Sequence, residues 1–241
     1  MQTATPHEST CCGCHFTPLC LTNTCMNSLT HNESLPIKRR LILQKNDVLF
    51  TPNSPFQFLF AIEHGAVKTV QTEADGSELI RGFYFSGEVL GYKAIYSGRY
   101  QSTAKALCDT QICVIEYRDF LYFLQSNPEL QQHIMYLVSL QMNMGSYLVS
   151  TSADRKLAAF LLDLSVRLHR SATQHEFQLP MSRQDIGNYL RLTAETISRV
   201  STRLIQNKII AVDNKKITLL KTETLRKIAD GITTIDEIGK E

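Results

Sequence analysis

From Arg40 to Glu116 apolar and polar residues alternate in short runs: LILQ, DVLF, FLFAIEHG, AVKTVQTE, SELIRGFYF, TAKAL and QICVIEY. A period of two over four to eight residues marks half-buried β-strands, and Ala74-Asp75-Gly76 between two of the runs is a hairpin turn. Many short strands at this spacing predict a β-barrel or roll. Within QICVIEY the alternation puts Cys113 and Ile115 on one face and Ile112 and Val114 on the other.

Beyond residue 126 the period lengthens. Asn127-Pro128-Glu129 starts a helix, with Asn as cap, Pro in the first turn and an acid near the positive end of the dipole. Leu137, Leu140, Met144, Tyr147 and Thr151 then recur at steps of three and four, as in a coiled-coil seam. The stripe predicts pairing with a second copy of the chain; packing on its own barrel is the competing reading. Another helix begins near Asp154, with Leu157, Phe160, Leu161, Leu164 and Leu168 on one face. Residues 1–35 are polar, cysteine-bearing and without period. The expected class is α+β, divided into a cysteine-bearing segment (1–35), a β-roll (36–126), a dimerisation helix (127–152) and a C-terminal domain (153–241).

That last domain carries the most specific pattern. LPMSRQDIGNYLRLTAETISRVSTRLIQNKII reads as two short helices joined by a tight turn. Ser182 caps the first, whose Ile186, Tyr189 and Leu190 face inward, and Thr193 caps the second, whose buried stripe is Ile197, Val200 and Leu204. Ala194, Glu195, Ser198, Arg199 and Arg203 are left on or near the outer face. IIAVDNKKITLL follows as two strands around Asp213-Asn214-Lys215-Lys216, a wing with a basic tip. A helix-turn-helix places its second helix in the major groove of DNA. There Arg199 can fork to a guanine, Glu195 can accept from a cytosine, Ser198 can serve in either sense, and the Ala194 methyl can touch a thymine methyl. Arg183, Thr193, Arg203, Lys208, Lys215 and Lys216 are assigned to phosphates, which position the protein without reading sequence.

Charge agrees with this division. The 241-residue chain has a formal net charge of only +2, yet Met181 to Lys227 holds ten Lys and Arg against four Asp and Glu. No run approaches the roughly 20 apolar residues of a membrane span. The first ten residues lack a basic and an apolar region, so secretion is not expected and the cytoplasm is the expected compartment. No nucleophile–base constellation appears, and an enzyme is not expected.

Taken together, a β-roll, a long helix, DIGNYLRLTAETISR and a wing resemble the CRP/FNR regulators, homodimeric winged-helix transcription factors. The Glu195, Ser198, Arg199 spacing is similar to the FNR branch, whose half-site is TTGAT; the CRP branch has an arginine where this chain has Ala194. Similarity to FNR proteins runs from Cys11 to about Gly76, resumes through GEVLGYKAIYSG and ALCDTQICVIEY, and covers the helix-turn-helix. The resemblance implies a cyclic-nucleotide-binding-like roll, and double-stranded DNA, RNA polymerase and a second copy of the chain as partners. Two positions depart from the FNR pattern: Asn143 in the seam and Lys93 after GEVLG stand where FNR proteins carry acids.

The chain has 7 cysteines, and CCGCHFTPLC holds four of them. In a reducing compartment such clustering means metal or redox chemistry more often than structural disulfides. FNR proteins carry C-x2-C-x5-C and a fourth cysteine in the roll; Cys11, Cys14 and Cys20 match that spacing and Cys113 the fourth position. The resemblance implies that these four thiolates hold an oxygen-labile 4Fe-4S cluster, and iron–sulfur clusters are held by four such ligands. A zinc site and a thiol–disulfide switch remain open for the same residues, and Cys12 and Cys25 offer competing spacings. Cys108 reads as a small buried hydrophobe. A cyclic nucleotide is not expected: Tyr92 and Lys93 stand where the CRP pocket needs a glutamate, and Ser102-Thr103 stand in place of its Arg-Ser pair.

Overall fold

The computed structural model describes residues 37–126, 152–168 and 176–238, with scattered positions between 127 and 151. Cys11, Cys14 and Cys20, and the seam residues Leu137, Leu140, Met144 and Tyr147, lie outside the described residues.

The N-terminal half is a roll of two four-stranded antiparallel sheets. One has the order β1 (Ile37–Leu43), β8 (Thr110–Glu116), β3 (Phe58–His64), β6 (Val89–Leu90); the other has β2 (Val48–Phe50), β7 (Thr103–Ala106), β4 (Ala66–Thr72), β5 (Glu78–Phe85). The alternating runs form these strands because one residue in two can be buried between the sheets. Phe60, Ile62, Val67, Tyr84, Leu90, Ile112 and Val114 share that interior. Ala74-Asp75-Gly76 closes the β4–β5 hairpin as expected, with Gly76 at φ 82 and its N–H donating to the Glu73 carbonyl.

Cys113 and Ile115 point the other way, as their alternation requires. They join Leu59 and Ala61 on the outer face of the first sheet, beneath Phe120 and Phe123. Those two rings come from a helix the sequence reading missed, α1 (Tyr117–Ser126), which follows β8 directly. Its buried residues are three apart, and Asp119 sits in its positive first turn.

The C-terminal half begins with α2 (Ala153–Leu168) and continues through α3 (Arg183–Leu190), α4 (Ala194–Gln206), α5 (Thr222–Asp230) and α6 (Ile235–Ile238). Strands β10 (Ile210–Asp213) and β11 (Lys216–Leu219) form the expected wing hairpin. A third strand, β9 (Glu176–Gln178), pairs with β11. One apolar core runs from the roll into this half, joining Ile80, Phe83 and Phe85 to Phe160, Leu164 and Tyr189. Arg167 is the polar tie across the same boundary. Its side chain is 4% exposed, pairs through Nε and Nη2 with both oxygens of Glu88 at 2.7 and 2.8 Å, and donates to the Phe83 carbonyl at 2.6 Å. Burial alone would lower its pKa, but the carboxylates of Glu88 and Asp163 outweigh it and hold the guanidinium charged.

Candidate nucleic-acid interface and cysteine site

Helix α3 is set by a complete capping box: Ser182 Oγ accepts the N–H of Asp185, whose carboxylate accepts the N–H of Ser182. It ends at Arg191 in the left-handed conformation, φ 57. Two residues later Thr193 caps α4, its Oγ1 accepting the Thr196 N–H at 3.1 Å. The turn is this tight because α3 carries Gly187. A β-carbon there would lie 2.7 Å from the Leu192 carbonyl oxygen and 3.2 Å from the Ala194 nitrogen. The sequence reading passed over Gly187, although a glycine inside an eight-residue helix is itself a signal of close packing.

Ile197, Val200 and Leu204 are buried as expected, which turns the remaining face of α4 outward. Ala194, Glu195 and Arg199 are exposed and Ser198 half-buried, its Oγ donating to the Ala194 carbonyl at 2.9 Å. The positive end of the α4 dipole therefore emerges beside the residues assigned to base edges. Arg183 and Lys215 are exposed too and, like Arg199, make no side-chain ion pair or hydrogen bond among the described residues. Lys216 at the wing pairs with Glu176 at 2.5 Å. Lys208 lies exposed just past the far end of α4 with φ 52, about 20 Å from the helix start at 1.5 Å per residue. Thr193 serves as the cap.

Arg203, assigned to a phosphate, ties α4 to its own domain in the structure: Nη1 lies 3.0 Å from each oxygen of Asp154 on α2, and Nη2 lies 2.5 Å from Asp236 on α6. Two carboxylates already neutralise it, so a phosphate would have to displace them.

In the roll, Cys113 is 6% exposed and its Sγ lies 3.8 Å from Glu63 Oε2. Cys108 is half-buried elsewhere, at the cavity between the roll and the wing. Among the described residues no group of three or more His, Cys, Asp or Glu side chains is placed to hold a metal ion, and no helix is long and apolar enough to cross a membrane. The pocket lined by Thr69, Arg81, Tyr84, Gly91, Lys93 and Ser102 has a volume of about 110 Å³. Sites for drug-sized ligands run to roughly 300–1,000 Å³. Burial and the nearby Arg81 charge lower the pKa of Lys93 at its edge.

A roll joined to a helix-turn-helix and a wing, with a basic outward face, defines a winged-helix DNA-binding regulator. Comparison with known proteins agrees and is more specific. A cyclic nucleotide-binding domain matches residues 40–127 and a Crp-like helix-turn-helix domain residues 155–228. The chain is 34% identical over 233 residues to the transcriptional activator protein anr of Pseudomonas aeruginosa, covering 93% of this chain and 94% of that protein. It is 34% identical over 224 residues to the fumarate and nitrate reduction regulatory protein of Escherichia coli K12, covering 91% and 90%. Among solved structures, FixK2 from Bradyrhizobium japonicum shares the fold at a TM-score of 0.69, with 24% identity over 79% of this chain and 96% of that one. The chain belongs to the CRP/FNR family and is an FNR-type regulator. It is a DNA-binding transcription regulator and not an enzyme.

Proposed function

We propose that this regulator works in the cytoplasm as an oxygen-responsive homodimer. Cys11, Cys14, Cys20 and Cys113 hold a 4Fe-4S cluster, and α4 reads TTGAT-type half-sites beside RNA polymerase. The observation that carries the sensing half is the place of Cys113. Its thiol sits under the aromatic cover of Phe120 and Phe123, on the face away from the roll interior. β1 enters the sheet at Ile37, opposite Ile115, two residues along the strand from Cys113. From Cys20 to Ile37 is 17 residues, which span up to about 55 Å when extended. Ile37 itself is within about 10 Å of Cys113 by strand spacing. The leader is therefore long enough to bring its cysteines to the fourth. Cysteine thiolate sulfur is the donor chemistry such a cluster requires. When bound, the cluster supplies an oxygen-labile link between the leader and the roll.

The remaining work falls to the chain itself. Leu137, Leu140, Met144 and Tyr147 pair with their counterparts in a second copy, which sets two α4 helices about 34 Å apart on a palindrome. The second half-site then binds at high effective concentration, so any signal that weakens pairing weakens DNA binding. Arg199, Glu195, Ser198 and Ala194 face base edges, while Arg183, Lys208, Lys215 and Lys216 stand toward phosphates. The test is iron and acid-labile sulfide content alongside binding to a TTGAT palindrome, with and without air. Four-iron occupancy with air-sensitive binding is expected. A colourless protein with stoichiometric zinc, or one free of metal that binds equally in air, overturns the reading.

A further inference from the structure

Three strands bring an ion pair against the fourth cysteine. β8 lies between β1 and β3. Arg40 on β1 is the register partner of Cys113 on one side, and Ala61 on β3 is its partner on the other. Two residues after Ala61, the β3–β8 register slips between Ile62 and His64, so that Glu63 is the extra residue of a bulge. Glu63, two residues beyond Ala61, lies on the same face of the sheet as Ala61 and Cys113; it is 8% exposed, and its Oε2 lies 3.8 Å from Cys113 Sγ. The same oxygen lies 3.6 Å from Arg40 Nε. One carboxylate oxygen therefore stands between a thiol and a guanidinium.

A thiol can donate its proton to that oxygen, but a sulfur that bonds a metal has no proton left to give. The thiolate and the carboxylate then face each other about 4 Å apart in a poorly solvated place, where like charges repel strongly. Arg40 is the cation beside them both.

We propose that Arg40 and Glu63 form the outer shell of the fourth ligand: Arg40 strengthens the hold of Cys113 on the cluster and Glu63 weakens it. This rests on Cys113 being a cluster ligand.

The test uses full-length protein purified without oxygen: wild type, Glu63→Gln, Arg40→Gln and the double variant. Iron and acid-labile sulfide per chain are measured first, followed by the rate at which an iron chelator strips the iron under nitrogen. Outer-shell changes typically alter metal affinity by about 10–100-fold. Glu63→Gln is expected to slow stripping by at least about tenfold and Arg40→Gln to hasten it by a similar factor. The double variant should return toward wild type, which a merely misfolded roll would not do. Stripping of Glu63→Gln at the wild-type rate, from protein fully loaded with iron and sulfide, overturns the inference and leaves the cluster assignment standing. Wild-type protein with neither iron nor sulfide overturns the assignment, and the inference falls with it.

Discussion

Asn188 Oδ1 accepts the backbone N–H of Ile80 at 2.7 Å, so a side chain of the helix-turn-helix pairs with the β-roll as a neighbouring strand would. The same amide donates through Nδ2 to the Glu78 carbonyl at 2.7 Å. β5 is an edge strand, and its free peptide groups are here covered by α3. The ion pair Lys68–Asp185 at 2.6 Å and the ring contact of Phe83 with Tyr189 at 5.2 Å lie along the same seam. Helix α3, which carries the turn to α4, and the roll are thus joined by paired backbone, charge and apolar contact together.

Replacing Asn188 with Ala leaves a buried donor and a neighbouring acceptor without their partner. Loss of about 1–3 kcal/mol of stability is expected, read by denaturant unfolding. Asn188→Asp should not rescue it, since a carboxylate still accepts from Ile80 but faces the Glu78 carbonyl oxygen with no proton to offer. An Asp variant as stable as wild type at neutral pH would show that the Glu78 contact contributes nothing.

Gly187→Ala sets two effects against each other. Alanine favours a helix interior over glycine by about 1 kcal/mol. Its β-carbon, however, would sit 2.7 Å from the Leu192 carbonyl oxygen, a backbone atom that moves only if the turn opens. Overpacking of this kind costs about 1–3 kcal/mol, so the net effect is expected to be destabilising, with weakened DNA binding. A variant that melts higher than wild type and binds normally would mean that the turn relaxes freely.

How far these features can be read in the sequence depends on the distance over which each is determined. The strand faces of QICVIEY follow from a period of two, and the sides taken by Cys113 and Ile112 are those the alternation requires. The two caps, Ser182 and Thr193, are equally local. Helix α1 is not, because YRDFLYFLQS continues an apolar strand without a break and is rich in aromatics; its helical form is secured by Phe120 and Phe123 packing on the sheet. Arg203 looked like its neighbour Arg199 because both stand on α4, yet its partners lie 49 and 33 residues away. Glu63 takes the face that a period of two gives it, and only the pairing of three strands shows that it lies beside Cys113 and Arg40.

Acid should loosen the seam between α3 and the roll. Burial pushes the Asp185 carboxyl up, but hydrogen bonds from Lys68 and Ser182 outweigh it and hold the group below the ordinary carboxylate range. A group depressed on folding contributes stability that is present in full above its unfolded pKa, about 3.9, and is lost as pH falls through the folded value. The stability gap between wild type and Asp185→Asn should accordingly stay constant from pH 7 to about 5 and narrow below about 4. A gap that is unchanged at pH 3 would show that Asp185 acts through packing alone.

Three basic residues on one surface are expected to fail in three different ways. Arg199 stands exposed without an ion-pair partner among the described residues, so Arg199→Ala should leave the melting temperature nearly unchanged. As a base reader its loss should cost about 1–3 kcal/mol of binding to the cognate site and relax preference at one base pair. Lys215, at the wing, should behave as a phosphate contact: Lys215→Ala weakens binding to all sequences alike and lowers the slope of log K against log salt by about 1. Arg203 is bound to Asp154 and Asp236, and Arg203→Ala leaves the partly buried Asp154 without its cation. Its effect should appear first as lower thermal stability of the C-terminal half, with the salt slope of the folded protein unchanged. An Arg203→Ala protein of normal stability whose salt slope falls by about 1 would return that residue to the phosphate backbone, and would mean that DNA draws the guanidinium out of its two carboxylates.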